Sequence, residues 1–238
     1  MRWLLDNSAT VLSLLGSHVV QAAVAVLAAF VIAVPMAHLA ARRGWLRGVV
    51  ETGSGLMYAI PSLPLLVVLP LALGTGLRSV VNVVVALTIY GLALMVPQAC
   101  AAFRSVDPQV LDSATAVGYG RRALFARVEL PLAGPALLGG LRIVSMSTIA
   151  LVTIGGVLGV PSLGMLFVDG FQRGILAEIL SGLVLTVLLA LAVDAALVGL
   201  GRLLMPWTRA RHGAGPTRRR AGSRVHRDTT PEDRQVVA

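Results

Sequence analysis

The chain has 238 residues, 56% of them hydrophobic and only 13% charged, with a formal net charge of +9 and a mean hydropathy of +0.84. Soluble domains carry about 25% charged residues, so this composition excludes an ordinary soluble enzyme and specifies an all-α integral membrane protein. All twenty basic residues are arginine, and nine of them lie from Arg202 onward, so the positive charge is no nucleic-acid surface. The single cysteine, Cys100, sits in an apolar run and excludes an intrachain disulfide or a thiolate cluster. Four histidines without ligand spacing give no metal site.

Residues 1–17 are apolar but interrupted by Asp6, Asn7 and Ser8, with no cleavable-signal pattern. They predict an interfacial segment with Trp3 near the headgroups and His18 at the boundary. Residues 19–41 are the first span, close to the roughly 20 residues that cross the hydrocarbon core. Pro35 falls in its last third, and Arg42, Arg43 and Arg47 follow with Trp45 among them. Residues 52–73 form the second span. Pro61, Pro64 and Pro70 lie inside it, which an uninterrupted lipid-facing helix tolerates poorly. Freed carbonyls at membrane depth are acceptable only against protein or water, so a broken helix lining a pathway is expected. Its candidate pathway residues are Tyr58, Pro61, Ser62 and Pro64; Tyr58 either offers a cation–π face or simply packs at an interface.

After a short turn with Arg78, residues 80–103 are the third span and Arg104 marks its exit. Then comes the one long stretch that mixes charge, small residues and helix punctuation. Asp107-Pro108 is a helix start, with a capping side chain and a proline at the first helical position. Gly118 is placed to end that helix in a left-handed cap. A second short helix is expected over 121–128, stopped by Leu130-Pro131. The expected unit is therefore two short helices joined at a glycine elbow, between two membrane segments.

Residues 132–158 are the fourth span. Arg142 sits about 16 Å along it from Pro131 at 1.5 Å per residue, a depth at which a charge must pair, snorkel or face water. Ser145, Ser147, Thr148 and Thr153 either line a pathway or serve as interhelical hydrogen-bond glue. Residues 155–174 are too rich in glycine for a span; Asp169 and Arg173 there are solvated charges or contacts for a soluble partner. Residues 176–204 are the fifth span, interrupted by Asp194, for which Arg142 is the expected partner. The tail is arginine-rich and aromatic-free, which predicts disorder and adsorption to anionic lipid. The domain reading is thus an N-terminal segment over 1–17, a membrane domain over 18–204 and a cytoplasmic tail over 205–238.

Orientation follows from the arginines. The loops assigned inside hold Arg42, Arg43, Arg47, Arg104, Arg121, Arg122 and Arg127, and the stretch from Arg202 onward adds nine, against Arg2, Arg78 and Arg173 outside. The positive-inside rule gives about five transmembrane helices, N-terminus out and C-terminus in, with the elbow between spans 3 and 4 on the cytoplasmic side. No phosphate-binding GxxxxGK[ST] loop, Ser-His-acid set or HExxH pattern occurs, so no catalytic residue is assigned.

The elbow has a fixed pattern: Asp112, Ser113 and Ala114, then Gly118 after three positions, then Val128, Leu130 and Pro131 after nine more. This resembles the cytoplasmic loop motif of binding-protein-dependent ABC importer permeases, with Asp for Glu, Ser for the first Ala and Val for Ile. The resemblance implies a coupling helix that docks on a cytoplasmic ATPase; the alternative is an amphipathic loop helix resting on the membrane. YAIPSLPLL (58–66) resembles the second-span signature of osmoprotectant-type permeases, Gly140-Leu141-Arg142 the arginine that follows the Leu-Pro, and GVPSLG (159–164) an outer turn of the family.

What these resemblances imply is a five-helix, methionine-importer-like permease in a bacterial cytoplasmic membrane. Its partners would be an ATPase dimer carrying ATP and Mg, a second permease subunit, identical or homologous, and an extracytoplasmic substrate-binding protein. No cofactor would be bound by this chain. The expected cargo is glycine betaine, choline, carnitine or proline betaine. An importer of amino acids or other small solutes, an ion-coupled secondary transporter using Asp194, and a membrane scaffold are the alternatives.

Overall fold

The computed structural model describes Trp3 and residues 6–208, and the arginine-rich tail beyond Thr208 lies outside the described residues. Those residues are helical and turn structure, without strands. In chain order the helices are α1 (Ser8–Ala41), α2 (Gly44–Ala59), α3 (Ser62–Leu73), α4 (Val80–Arg104), α5 (Pro108–Ala116), α6 (Arg121–Leu124), α7 (Leu130–Gly155), α8 (Gly164–Arg173) and α9 (Leu176–Leu204). A π-helical turn, Phe125–Glu129, joins α6 to α7, and a 3-10 turn, Gly156–Leu158, follows α7. A separate short 3-10 turn covers Pro206–Thr208. Among the described residues four helical stretches are long and apolar enough to cross a membrane, or five when the bent pair α2/α3 is taken as one span.

The core is a three-helix contact of α1, α4 and α7. Helix α1 buries a stripe of small residues, Ala22, Ala25, Ala29, Ala33, Ala37 and Ala40, at helical spacing. Lipid offers no hydrophobic gain for helix association, so close backbone approach through small residues supplies the packing instead. Gly91 of α4 shows how close that approach is: a Cβ there would meet the Cβ of Ala29 at 2.7 Å. Met95, Val96, Ala99 and Cys100 continue the buried face of α4, the cysteine acting as the small core residue expected of it. Helix α9 is peripheral, and its most apolar stretch has no residue buried within this chain.

Two sequence-based expectations change. Helix α1 starts at Ser8 rather than near residue 19, so most of the segment expected to lie at the interface is the first two turns and more of a membrane-type helix. Within it His18 is fully buried and bonded to the Ile149 carbonyl of α7 at 3.0 Å. Leu130-Pro131 does not stop the second short helix either. The chain stays helical from Arg121 to Leu158. The reason is the π turn, where the Leu130 N–H bonds to the Phe125 carbonyl five residues back. In that register the missing N–H of Pro131 interrupts no α-helical ladder that has already begun, and proline is tolerated at such a helix start.

Candidate functional site

The elbow is built by local chemistry. The Asp107 side chain accepts from the Gln109 N–H at 2.9 Å, and Pro108 occupies the first turn of α5. The helix ends with Gly118 at φ 101°. Its N–H bonds to the Thr115 carbonyl at 3.0 Å, and the Tyr119 N–H bonds to the Ala114 carbonyl at 3.2 Å. These are the two reverse bonds of a Schellman cap, which satisfy carbonyls left over at the helix end. Helix α5 buries none of its residues. Asp112, Ser113 and Gly118 are exposed and Ala114 is half-buried, while Val117 is 80% exposed. Val128, Leu130 and Pro131 are half-buried at the base, and Leu130 packs on the core cluster of Ala33, Met95 and Ala133. The seven motif residues therefore divide into an exposed tip and an embedded root.

The root contains an arrangement that sequence reading passed over. Glu129 is 5% exposed. One of its oxygens lies 3.1 Å from His38 Nδ1 and the other accepts from Arg42 Nη2 at 3.2 Å, both groups belonging to the end of α1. The His38 ring lies tilted against Phe125, with centroids 4.2 Å apart, and meets Phe103 edge-on at 5.4 Å. The signal available in sequence was an acid in the x position before Leu-Pro, with no indication of which of many arginines it would meet.

The second candidate region is the break between α2 and α3, where the axis turns by 100°. Two prolines make it. Pro61 has no N–H for the Met57 carbonyl, which takes the Ile60 N–H instead. Pro64 has none for the Ile60 carbonyl, and the Tyr90 hydroxyl of α4 donates to that oxygen. A carbonyl freed at membrane depth thus finds a protein donor, as it must. Tyr90 is buried; Tyr58 is 52% exposed, with its ring edge-on to Tyr90 at 6.3 Å. Pro61 and Pro64 are exposed and Ser62 half-buried beside them. Of the residues expected here, all line the break, and Tyr90 is the one that sequence reading missed.

Arg142 and Asp194 do meet. Arg142 Nε donates to Oδ1 at 2.6 Å and Nη2 to Oδ2 at 2.8 Å, a bidentate fork tying α7 to peripheral α9. Ser145 is buried one turn on, but its hydroxyl returns to the Leu141 carbonyl of its own helix at 2.8 Å rather than to a neighbour. Ser147 lies half-buried on the same helix. Ser145 also edges an apolar cavity of about 220 Å³ lined by α1, α7 and α9. Tyr58 to Pro64 thus lie at the break, whereas Arg142 and Asp194 lie at the α7–α9 contact with Ser145 one turn on.

At the opposite end of the bundle from the elbow, the GVPSLG turn folds back against α7. A Cβ on Gly164 would stand 1.9 Å from the Thr153 carbonyl oxygen, so only glycine fits the contact. Gln21 of α1 donates to the Pro161 carbonyl at 2.7 Å and closes the same contact.

The profile of the binding-protein-dependent transport system inner membrane components matches residues 25–210, which spans the core, the elbow and the broken helix. The chain belongs to that family. It is a membrane transport component and not an enzyme. It is 30% identical to the osmoprotectant import permease protein OsmW of Salmonella typhimurium over 87% of this chain and 97% of that one. It is also 30% identical to the choline transport system permease protein OpuBD of Bacillus subtilis, over 90% and 94% respectively. In fold it is similar to a chain of the inward-facing MetNI methionine ABC transporter, with a TM-score of 0.74 at 20% identity, covering 84% of this chain and 98% of that chain. As a component of this family, the chain has helices able to span a membrane, with the exposed elbow between the third and fourth of the spans expected from sequence.

Proposed function

We propose that this chain is the permease subunit of an ATP-driven importer of quaternary-ammonium compatible solutes, such as glycine betaine, choline, carnitine or proline betaine. The observation that carries the reading is near-complete, end-to-end similarity to permeases named for osmoprotectants and choline, at 30% identity. The elbow supports it. Asp112, Ser113, Ala114 and Gly118 form an exposed surface of small residues for an ATPase groove, and Val128, Leu130 and Pro131 root it in the bundle. In this reading the elbow faces the cytosol, the N-terminus is outside and the C-terminus inside, as the arginine distribution favours.

ATP and Mg belong to the ATPase dimer, and an extracytoplasmic binding protein delivers the solute. A second permease subunit completes the pathway, which fits the exposed Tyr58 and the separate groups of pathway residues in one chain. ATP-driven closure of the ATPases displaces the elbows and tilts the broken spans between inward-open and outward-open. Tyr58, with an exposed ring at the break, is suited to a quaternary ammonium because a permanent cation without hydrogen-bond donors binds best to aromatic faces. The test is uptake of labelled glycine betaine and choline into proteoliposomes holding this chain with its ATPase and binding protein. Uptake should require ATP, survive collapse of ion gradients, and be competed by other quaternary ammonium solutes. Uptake driven by an ion gradient without ATP refutes the reading.

A further inference from the structure

Glu129 ends the π turn, and each of its carboxylate oxygens is engaged from α1, one by His38 Nδ1 at 3.1 Å and the other by Arg42 Nη2 at 3.2 Å. An ionised carboxylate only accepts, so His38 carries its hydrogen on Nδ1. The His38 ring is held in turn against Phe125 of the same π turn and Phe103 of α4. Three elements thus meet at one buried acid: the end of α1, the end of α4 and the entry to α7. Stability alone does not explain an ionic group there. Glu129 is buried while Arg42 is exposed, and a pair that takes its acid out of water yet leaves its arginine in solvent gains little net stability, because desolvation and screening offset the attraction.

The π turn supplies a reason for it. It holds one surplus residue within a continuous helix, seen in the Leu130 N–H reaching back to the Phe125 carbonyl. Such a defect is a natural place for a helix to change register. A push on the elbow must travel through it to reach α7. With its end unanchored, the turn would absorb the push by shifting the surplus residue along the helix.

We infer that Glu129, pinned by His38 and Arg42, is a positioning residue that locks the π turn and passes displacement of the elbow on to both α1 and α7. This rests on the importer reading above and assigns a role within it to residues outside the elbow's exposed surface. Loss of the pin leaves a complex that spends ATP without moving solute.

The experiment measures solute delivered per ATP hydrolysed by the complete complex, with its ATPase and binding protein, in proteoliposomes. Glu129→Met keeps volume but removes both bonds, and the ratio should fall at least about tenfold, the factor that one hydrogen bond to a charged group sets. Glu129→Gln, which can still accept from Arg42 and donate to a re-tautomerised His38, should retain most of the ratio. The exchange Arg42→Glu with Glu129→Arg should recover ratio lost in Glu129→Arg alone. If the Met variant fails to assemble, that exchange decides: recovery supports the pin, and no recovery overturns it. An unchanged ratio in an assembled Glu129→Met complex overturns the inference alone. Absence of ATP-dependent uptake by the wild-type complex overturns the importer reading, and the inference with it.

Discussion

Gly118 offers a sharp test of how the elbow works, because its environment separates two causes that usually coincide. Its φ of 101° is in the region that L side chains avoid. Nothing lies within 4 Å of where a Cβ would be. Within this chain, then, Gly118→Ala has no clash and acts only through the backbone. The left-handed conformation costs a residue with a Cβ about 1–2 kcal/mol, which lowers the population of the bent elbow by a factor of about 5–30. Asn reaches this region more readily than other non-glycine residues, so Gly118→Asn should lose the least, Gly118→Ala more and Gly118→Val most. The assay is ATP-dependent uptake in proteoliposomes, with co-purification of the ATPase as the measure of docking. Wild-type uptake by the Ala variant refutes the backbone argument. Equal loss in Asn and Val variants refutes it differently, by pointing to clearance for the docked partner rather than to φ.

Other perturbations test the remaining parts. Gly164→Ala drives a methyl into the Thr153 carbonyl, a backbone atom that cannot rotate aside; overpacking of this kind costs about 1–3 kcal/mol. The thermal midpoint of the purified chain should fall, and an unchanged midpoint contradicts the close approach. Arg142→Ala or Asp194→Ala alone should reduce the yield of assembled permease, whereas the double substitution recovers it, since an unmatched charge at membrane depth is worse than none. Tyr58→Phe should leave choline uptake nearly intact. Tyr58→Leu should raise the half-saturating concentration about two- to fivefold, the size of an exposed cation–π contact. In a Cys100→Ser background, Ser113→Cys should react with a membrane-impermeant thiol reagent in inside-out vesicles and not in intact cells; the reverse pattern inverts the proposed topology.

Much of the fold was legible because its causes are local. Asp107-Pro108 and Gly118 mark the ends of α5 through capping and φ alone, without regard to what α5 touches. Pro61 and Pro64 break the second span because each removes an N–H that a continuous ladder needs. The apolar runs set the number of spans by length. Local rules failed where a residue's fate depends on a distant neighbour. Pro131 looked like a stop, yet a change of helical register six residues earlier accommodates it. The partner of His18 was hidden because nothing nearby in sequence shows that the Ile149 carbonyl awaits it.

By itself, then, the amino-acid sequence determined the membrane class, the punctuation of the elbow and the break in the second span, since each follows from side-chain transfer energies and backbone donors within a few residues. Tertiary structure alone decided that Tyr90 caps the Ile60 carbonyl. It also decided that Arg42 and His38 close on Glu129, whereas the Arg142–Asp194 pair was expected from two charges at membrane depth and the structure added only its bidentate geometry. A buried polar group needs a partner, but which of several chemically equivalent partners it receives is set by how helices dock, and docking is a property of surfaces far apart in the chain.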